Sequence, residues 1–477
     1  VNWFDADGYW LSRLLFKEGL AAIYLAAFLV AANQFRPLIG ADGMLPVPRF
    51  VGTTRWQRSP SIFHLHYSDR FFAVVAWSGA GLSGLALLGV MDRLPLPLSM
   101  LGWLLLWALY LSIVNVGQLW YGFGWESLLL EVGLLAVFVG NWESAPSVLV
   151  LLLMRWLLFR LEFGAGLIKL RGDKCWRDLT CLDYHHETQP MPGPLSWYFH
   201  HLPRPLHKVE VAGNHFTQLI VPFFLFAPQP VAGGAAAIMI VTQLWLVASG
   251  NFSWLNWLAI VLGLSVLPDS FWKVVLPISP PSDLTVAPLW FTIVVATVTV
   301  AVLALSYRPA RNMFSSHQMM NASFDPWHLV NTYGAFGHVT RTRYEIVVEG
   351  TADEHPSPDS DWRAYEFKGK PGDLRRRPRQ FAPYHLRLDW LMWFAAISPA
   401  YATAWFGGFV GRLLENDRAT LKLLHHNPFP NAPPRFIRAR MFRYEFTSRA
   451  ERRESGAWWT RTFIADFMPA VSKRQVG

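Results

Sequence analysis

Arg155, Glu162 and Lys169 interrupt a long apolar run at intervals of seven residues. On a helix that spacing falls about 20° short of two full turns, so the three form one slowly drifting stripe, with Arg160 lying off it. Each charge in a membrane helix costs a few kcal/mol unless it is paired or faces a wet cavity. Four charges on one helix therefore imply a polar interior, and Glu126 and Glu131 on the preceding apolar run are available partners. Two readings stay open. One is an interhelical salt-bridge network that sets packing. The other is a buried polar pocket with Lys169 at its mouth, serving as a general base if burial lowers its pKa, while Arg171 and Lys174 snorkel to the interface.

Cys175 and Cys181 are the only cysteines and fall in one extramembrane stretch. With five residues between them a disulfide is sterically possible. Thiol-exchange catalysis usually uses a tighter Cys-x-x-Cys, which is absent. Metal binding with Asp183, His185, His186 and Glu187 is a further option, but the spacing matches no zinc pattern, so no metal is assigned. His200, His201 and His207 stay unassigned. The sequence contains no phosphate-binding glycine loop, no Gly-x-Ser-x-Gly elbow and no nucleic-acid motif, and it implies no cofactor. Two Asn-x-Ser sequons begin at Asn251 and Asn321.

The elements that must hold these residues are membrane helices. Of 477 residues 52% are hydrophobic and only 16% charged, where a soluble globule carries about 25% charged. Stretches long enough to span a bilayer lie near 14–34, 71–91, 98–118, 125–140, 147–170, 209–227, 231–249, 253–267 and 285–306, which predicts about nine crossings. Segments 35–70, 171–208 and 268–284 are rich in Pro, Trp and His and read as folded caps on the bundle. No cleavable signal peptide is evident, so the first helix is expected to serve as its own targeting signal.

After Tyr307 the pattern turns to period two. Residues 1–306 hold 17 Lys+Arg and 17 Asp+Glu, whereas 307–477 hold 25 and 16, so the whole formal +9 lies in the tail. Strands are expected over Val339–Val348, Trp362–Lys368 and Phe436–Thr447, the last with aromatic residues at Phe442, Tyr444 and Phe446. An amphipathic helix lying on the sheet or the membrane is expected over Leu388–Ile397. The fold class is thus a polytopic helical membrane domain (1–306) followed by a basic α+β or β-sandwich-like domain (307–477). That domain would lie against anionic lipid headgroups, bind an acidic partner, or simply carry a solvated basic surface.

Several segments resemble the lipase maturation factor family. They are Tyr121-Gly-Phe-Gly-Trp-Glu-Ser, Phe163-Gly-Ala-Gly-Leu-Ile-Lys-Leu-Arg-Gly-Asp173, the run from Cys175 to Pro190, Ser249-Gly-Asn-Phe-Ser-Trp-Leu-Asn-Trp257, Asn331-Thr-Tyr-Gly-Ala-Phe336, Thr340-Arg-Thr-Arg-Tyr-Glu345 and Asn427-Pro-Phe-Pro430. The likeness runs from the first helix to about Phe463. It implies a polytopic protein of the endoplasmic reticulum membrane, or of the inner membrane in a bacterium, that helps secreted lipases fold and assemble. The tail domain would face the lumen or periplasm and bind the client. Charge counting objects, because 35–70 and 171–208 are rich in Arg and Lys and share the tail's side in a nine-span topology. Those segments read as folded rather than as plain tethers, so the resemblance is followed. A shorter likeness, Gly166-Leu-Ile-Lys-Leu170, is similar to the helix end that bears the base lysine of vitamin K-dependent γ-glutamyl carboxylases.

The leading expectation is therefore a non-enzymatic, chaperone-like maturation factor, with Cys175–Cys181 as a structural disulfide on the exported side. The alternative is a membrane enzyme using Lys169 as base on a quinol-like substrate. A cavity lined by Lys169 would distinguish the two. A transporter would explain the polar helix but predicts no elaborate tail.

Overall fold

The computed structural model describes residues 3–476. Each apolar stretch becomes a helix: α1 (Trp10–Ile39), α2 (Asp69–Leu87), α3 (Leu96–Val116), α4 (Gly124–Val137), α5 (Val148–Arg171), α6 (Arg204–Leu219), α7 (Val231–Ser249), α8 (Leu255–Leu264) and α9 (Leu289–Leu305). Among the described residues, five helical segments are long and apolar enough to cross a membrane: Asp7–Ile39, Asp69–Leu87, Leu96–Val116, Val231–Ser249 and Leu289–Phe314. Their outward apolar side chains, such as Val241, Ile293 and Val300, are left bare, as lipid permits and water does not. The chain is an integral membrane protein.

The expected nine crossings are not reached, for physical reasons that differ between helices. Helix α4 has 14 residues, about 21 Å at 1.5 Å per residue, against a hydrocarbon core of about 30 Å. Helix α6 is amphipathic, and the chain leaves it for a 3-10 turn at Val221–Phe226. Helix α8 bends by 106° into Asp269–Val275, and that pair makes a sixth span only if counted as one. Helix α5 is long enough to cross but carries Arg155, Arg160, Glu162, Lys169 and Arg171.

The tail builds a four-stranded antiparallel sheet in the order β2-β1-β5-β6 from β1 (Arg343–Thr351), β2 (Arg363–Ala364), β5 (Phe436–Phe446) and β6 (Trp459–Ser472). A second ladder pairs β3 (Glu366–Phe367) with β4 (Leu424–His426). The strand expected from Val339 begins at Arg343 instead. Arg341 is taken by Asp173, to whose two oxygens it donates at 2.7 Å each, so Val339–Thr342 belongs to a loop clamp rather than to the sheet. Helix α10 (Arg387–Ile397) forms where a helix is expected over Leu388–Ile397 and lies against β1 of the sheet, but it is not amphipathic. It is buried around most of its circumference, with Leu388, Trp390, Leu391, Met392 and Ala395 inside, as an apolar helix without a polar face must be.

Bundle and tail are joined by buried polar contacts. Arg387 donates to Glu126 at 2.8 Å and to the Trp120 carbonyl at 2.6 Å, and Tyr110 donates to the same carboxylate at 2.5 Å. The 171–208 segment meets the sheet. Trp197 donates to the Thr447 carbonyl at 2.8 Å, the Phe446 N–H donates to Glu187 at 2.6 Å, and Arg343 donates to the carbonyls of Gln189 and Pro190.

Breaking the Glu126–Arg387 pair leaves a buried carboxylate without its cation, which costs about 3–5 kcal/mol. Arg387→Met should lower the thermal midpoint in detergent and make the tail a substrate for limited proteolysis. Glu126→Gln combined with Arg387→Met should recover part of the loss. A single variant as protease-resistant as the parent would show that the pair does not clip the halves together.

Glu187 predicts a pH effect at the same interface. Burial pushes its carboxyl up to about 7, against the lowering influence of the Phe446 N–H. Below an unfolded value near 4.5 both states hold the proton. Between there and 7 only the folded state does, so this group's contribution to stability falls as pH rises. His200, 3.8 Å away and held down to about 4 by burial, opposes it below about pH 6.5. The difference between wild type and Glu187→Gln isolates the carboxyl. The variant should gain relative stability from pH 4.5 to 7, up to about 3 kcal/mol. Parallel melting profiles would contradict this.

Candidate functional site

Helix α5 carries two separate polar systems on different sides. On one side Glu131 of α4 pairs with Arg160, the residue off the stripe. The same carboxylate accepts the backbone N–H of Asn331 at 3.0 Å, its side-chain amide at 3.1 Å and the Tyr333 hydroxyl at 2.7 Å. Arg160 in turn donates to the Asn331 carbonyl at 2.7 Å. The segment around 331–337 is thus threaded against α5, which glycine makes possible. A Cβ at Gly164 would sit 2.5 Å from the Tyr333 carbonyl oxygen, and one at Gly172 would sit 2.1 Å from that of Gly337.

The other side holds Glu162 and Lys169, joined by amides. Lys169 Nζ donates to Gln218 Oε1 at 2.7 Å, and Asn214 donates to the same oxygen at 3.2 Å. Gln218 Nε2 donates to Glu162 at 3.2 Å, and Gln243 Nε2 donates to its other oxygen at 2.6 Å. Asn256 Nδ2 closes the chain by donating to Gln243 Oε1 at 2.6 Å. Four helices, α5 to α8, are tied by this one relay, and Lys169 Nζ also lies 5.1 Å from the centre of the Trp176 ring.

The stripe is therefore divided. Arg155 takes no part in the Glu162–Lys169 relay and donates instead to the Tyr9 hydroxyl and the Leu225 carbonyl, both at 3.2 Å. Glu126, offered as a partner for the stripe, is claimed by Arg387. Unforeseen altogether were Gln218 and Gln243, the amides that satisfy Glu162, Asn256, which donates to Gln243, and the buried pair Lys17–Asp92 at 2.7 Å. A lone amide in an apolar helix is costly unless bonded, so these residues carried a readable signal.

Cys175 and Cys181 form a disulfide packed with Trp176, Leu182, Val211 and Val339. Three histidines of this segment each have a single acidic neighbour: His207 and Asp183 at 3.1 Å, His186 and Glu210 at 3.8 Å, and His200 and Glu187 at 3.8 Å. Among the described residues no group of three or more His, Cys, Asp or Glu is placed to hold a metal ion.

Lys169 and Glu162 line a cavity of about 890 Å³ between α5, α6, α7 and α8. Trp390, Trp393 and Phe394 of α10 complete its wall, so a membrane cavity is bounded in part by the tail. Segments far apart in sequence converge here: Phe123 and Trp125 before and within α4, Ala165 and Lys169 of α5, Phe252 before α8, and Tyr333 and Phe336 from the threaded segment.

The two halves also match known proteins. A family profile described as the lipase maturation factor transmembrane domain covers residues 11–274, and one described as the lipase maturation factor C-terminal domain covers 329–469. Lipase maturation factor 1 of Homo sapiens is 42% identical over 98% of this chain and 89% of its own length. The Mus musculus protein of that name is 41% identical over 97% and 87%. Lipase maturation factor 2 of Homo sapiens is 31% identical over 97% and 83%. No solved structure matches. With both halves matched in order and relatives alike along nearly its whole length, the chain belongs to the lipase maturation factor family.

Proposed function

We propose that this protein is a membrane-anchored maturation factor that assists the folding and assembly of exported proteins, secreted lipases in particular. Its likeness to lipase maturation factor 1 across 98% of the chain carries the reading. In it the bundle anchors and the tail domain holds an unfolded or half-assembled client on the lumenal or periplasmic side, in the endoplasmic reticulum membrane or a bacterial inner membrane. Two features of the tail suit that work. Strand β6 is a 14-residue edge with most of its side chains exposed, and an open strand edge pairs readily with an extended chain. The tail's excess of arginine supplies a basic surface for acidic client segments or anionic headgroups.

Expression of the full chain in cells lacking their own maturation factor should restore secretion of active lipase. A photoreactive residue at the exposed Phe463 should crosslink to the client, whereas one at the lipid-facing Val300 should not. No rise in active lipase over empty vector would overturn the reading. Reporter fusions after Tyr307 test the topology separately, and a cytoplasmic signal would reverse it.

A second reading is favoured by one observation, the presence of Lys169 on the cavity wall. In it Lys169 is a general base acting on a quinol-like, lipid-soluble substrate. Lys169→Met separates the two. A maturation factor with a structural lysine should lose activity only in proportion to protein level. Loss of a positioned base should leave abundance intact and cut activity by about 10²–10⁴-fold.

A further inference from the structure

We infer that the cavity beside Lys169 is a binding site for a single-chain lipid with an oxyanion head, entered sideways from the bilayer. Its volume, about 890 Å³, lies at the upper end of the roughly 300–1,000 Å³ typical of small-molecule sites, which suits one acyl chain. The walls are apolar over most of their area, with Leu161, Ala165, Leu255 and Ala259 facing in.

The rim shows the route. Leu206 and Val209 of α6 and Val241 and Trp245 of α7 line the cavity and are also 50%, 67%, 67% and 45% exposed. Helix α7 is one of the candidate spans, so the bare Val241 and Trp245 face lipid tails, and Leu206 and Val209 of the amphipathic α6 form the other side of the same opening. A ligand passing between them leaves hydrocarbon for hydrocarbon and sheds little water.

The ammonium fixes the head. Lys169 is 5% exposed, and its hydrogen bond within the protein goes to the neutral Gln218 oxygen. Of its three donors two remain for a ligand. Among the described residues no carboxylate lies within 4 Å of it, and Glu162 already accepts from two amides. A buried cation without a contacting anion is costly, and an incoming carboxylate or phosphate removes that cost. Glu210, the other acidic side chain on the wall, accepts from Trp245 at 2.7 Å. It stands two helical turns from Gln218, about 12 Å along α6, which weakens its repulsion of a head seated on Lys169. The site is independent of the client reading, since occupancy requires no lipase.

The test measures tritiated oleate binding to the full chain in nanodiscs, with no lipase present. Saturable binding above empty nanodiscs is expected. Lys169→Met should weaken it at least about tenfold, the scale of a charge-assisted hydrogen bond, while Lys169→Arg should retain most of it. Val209→Trp combined with Val241→Trp narrows the mouth at exposed positions without touching the relay. It should reduce binding even where Lys169→Met fails to fold. Competition separates the sources of the head: stronger displacement by oleoyl-lysophosphatidate assigns a phosphate, and weaker displacement a carboxylate. Absence of saturable binding, equal competition by the neutral monoolein, unchanged binding in folded Lys169→Met, or unchanged binding in the mouth variant would each overturn the inference.

Discussion

A carboxylate buried in an apolar interior must bring its partners with it, and the architecture of this protein follows from where three of them find theirs. Glu126 is answered by Arg387, 261 residues later in the chain. Glu131 is answered from within the bundle by Arg160 and from beyond the last apolar helix by Asn331 and Tyr333. Glu162 is answered by amides of two other helices. Removing any partner exposes a charge to a medium that cannot solvate it, at a cost of several kcal/mol. Two of the three answers come from residues after 306. The buried carboxylates of the bundle are therefore fully partnered only with the tail docked, which couples the two halves.

That coupling explains how the irregular segments earn their order. The 171–208 segment is closed on itself by the disulfide and capped at Asp173, whose carboxylate accepts the Cys175 N–H at 3.0 Å while gripping Arg341. Its middle, Glu187 to Pro190, hands carbonyls to Arg343 and a carboxylate to Phe446. It is a bracket between bundle and sheet, which a plain tether of the same composition would not be. The wealth of Trp fits the same role, because an indole covers apolar area and still offers one N–H, as Trp197 and Trp176 do to carbonyls of the tail segment.

Much of this was legible in the residues. The charges of α5 announced a polar interior, the period-two pattern located β5 almost to the residue, and the isolated cysteine pair pointed to a single bond. What stayed hidden has physical causes. Hydropathy counts apolar length but not the bends and short turns that end α4, α6 and α8 before they span. Spacing along one helix reports which residues share a face, not which neighbour arrives, so Arg155 was grouped with charges it never meets. Amides carry no charge and so stand out less in a sequence, though Gln218 and Gln243 do the work of a counter-ion for Glu162. Strand β6 was missed because Phe463-Ile464 and Phe467-Met468 break the alternation that marks a strand with one buried face.

The cavity is where the two solvents of this molecule meet. Its floor is a relay that binds four helices together, and part of its wall is α10, the helix that lies against β1 and carries Arg387 at its start. A ligand that displaces Trp390 or Trp393 presses on an element anchored to Glu126 at one end and to the sheet along its length. Packed interiors shift between discrete arrangements rather than yielding smoothly, so such a displacement reaches the sheet or does not occur. The membrane half thereby has a physical route to the surface that the tail presents, through α10 and the short 3-10 helix Pro399–Tyr401 that follows it, whose Tyr401 also lines the cavity.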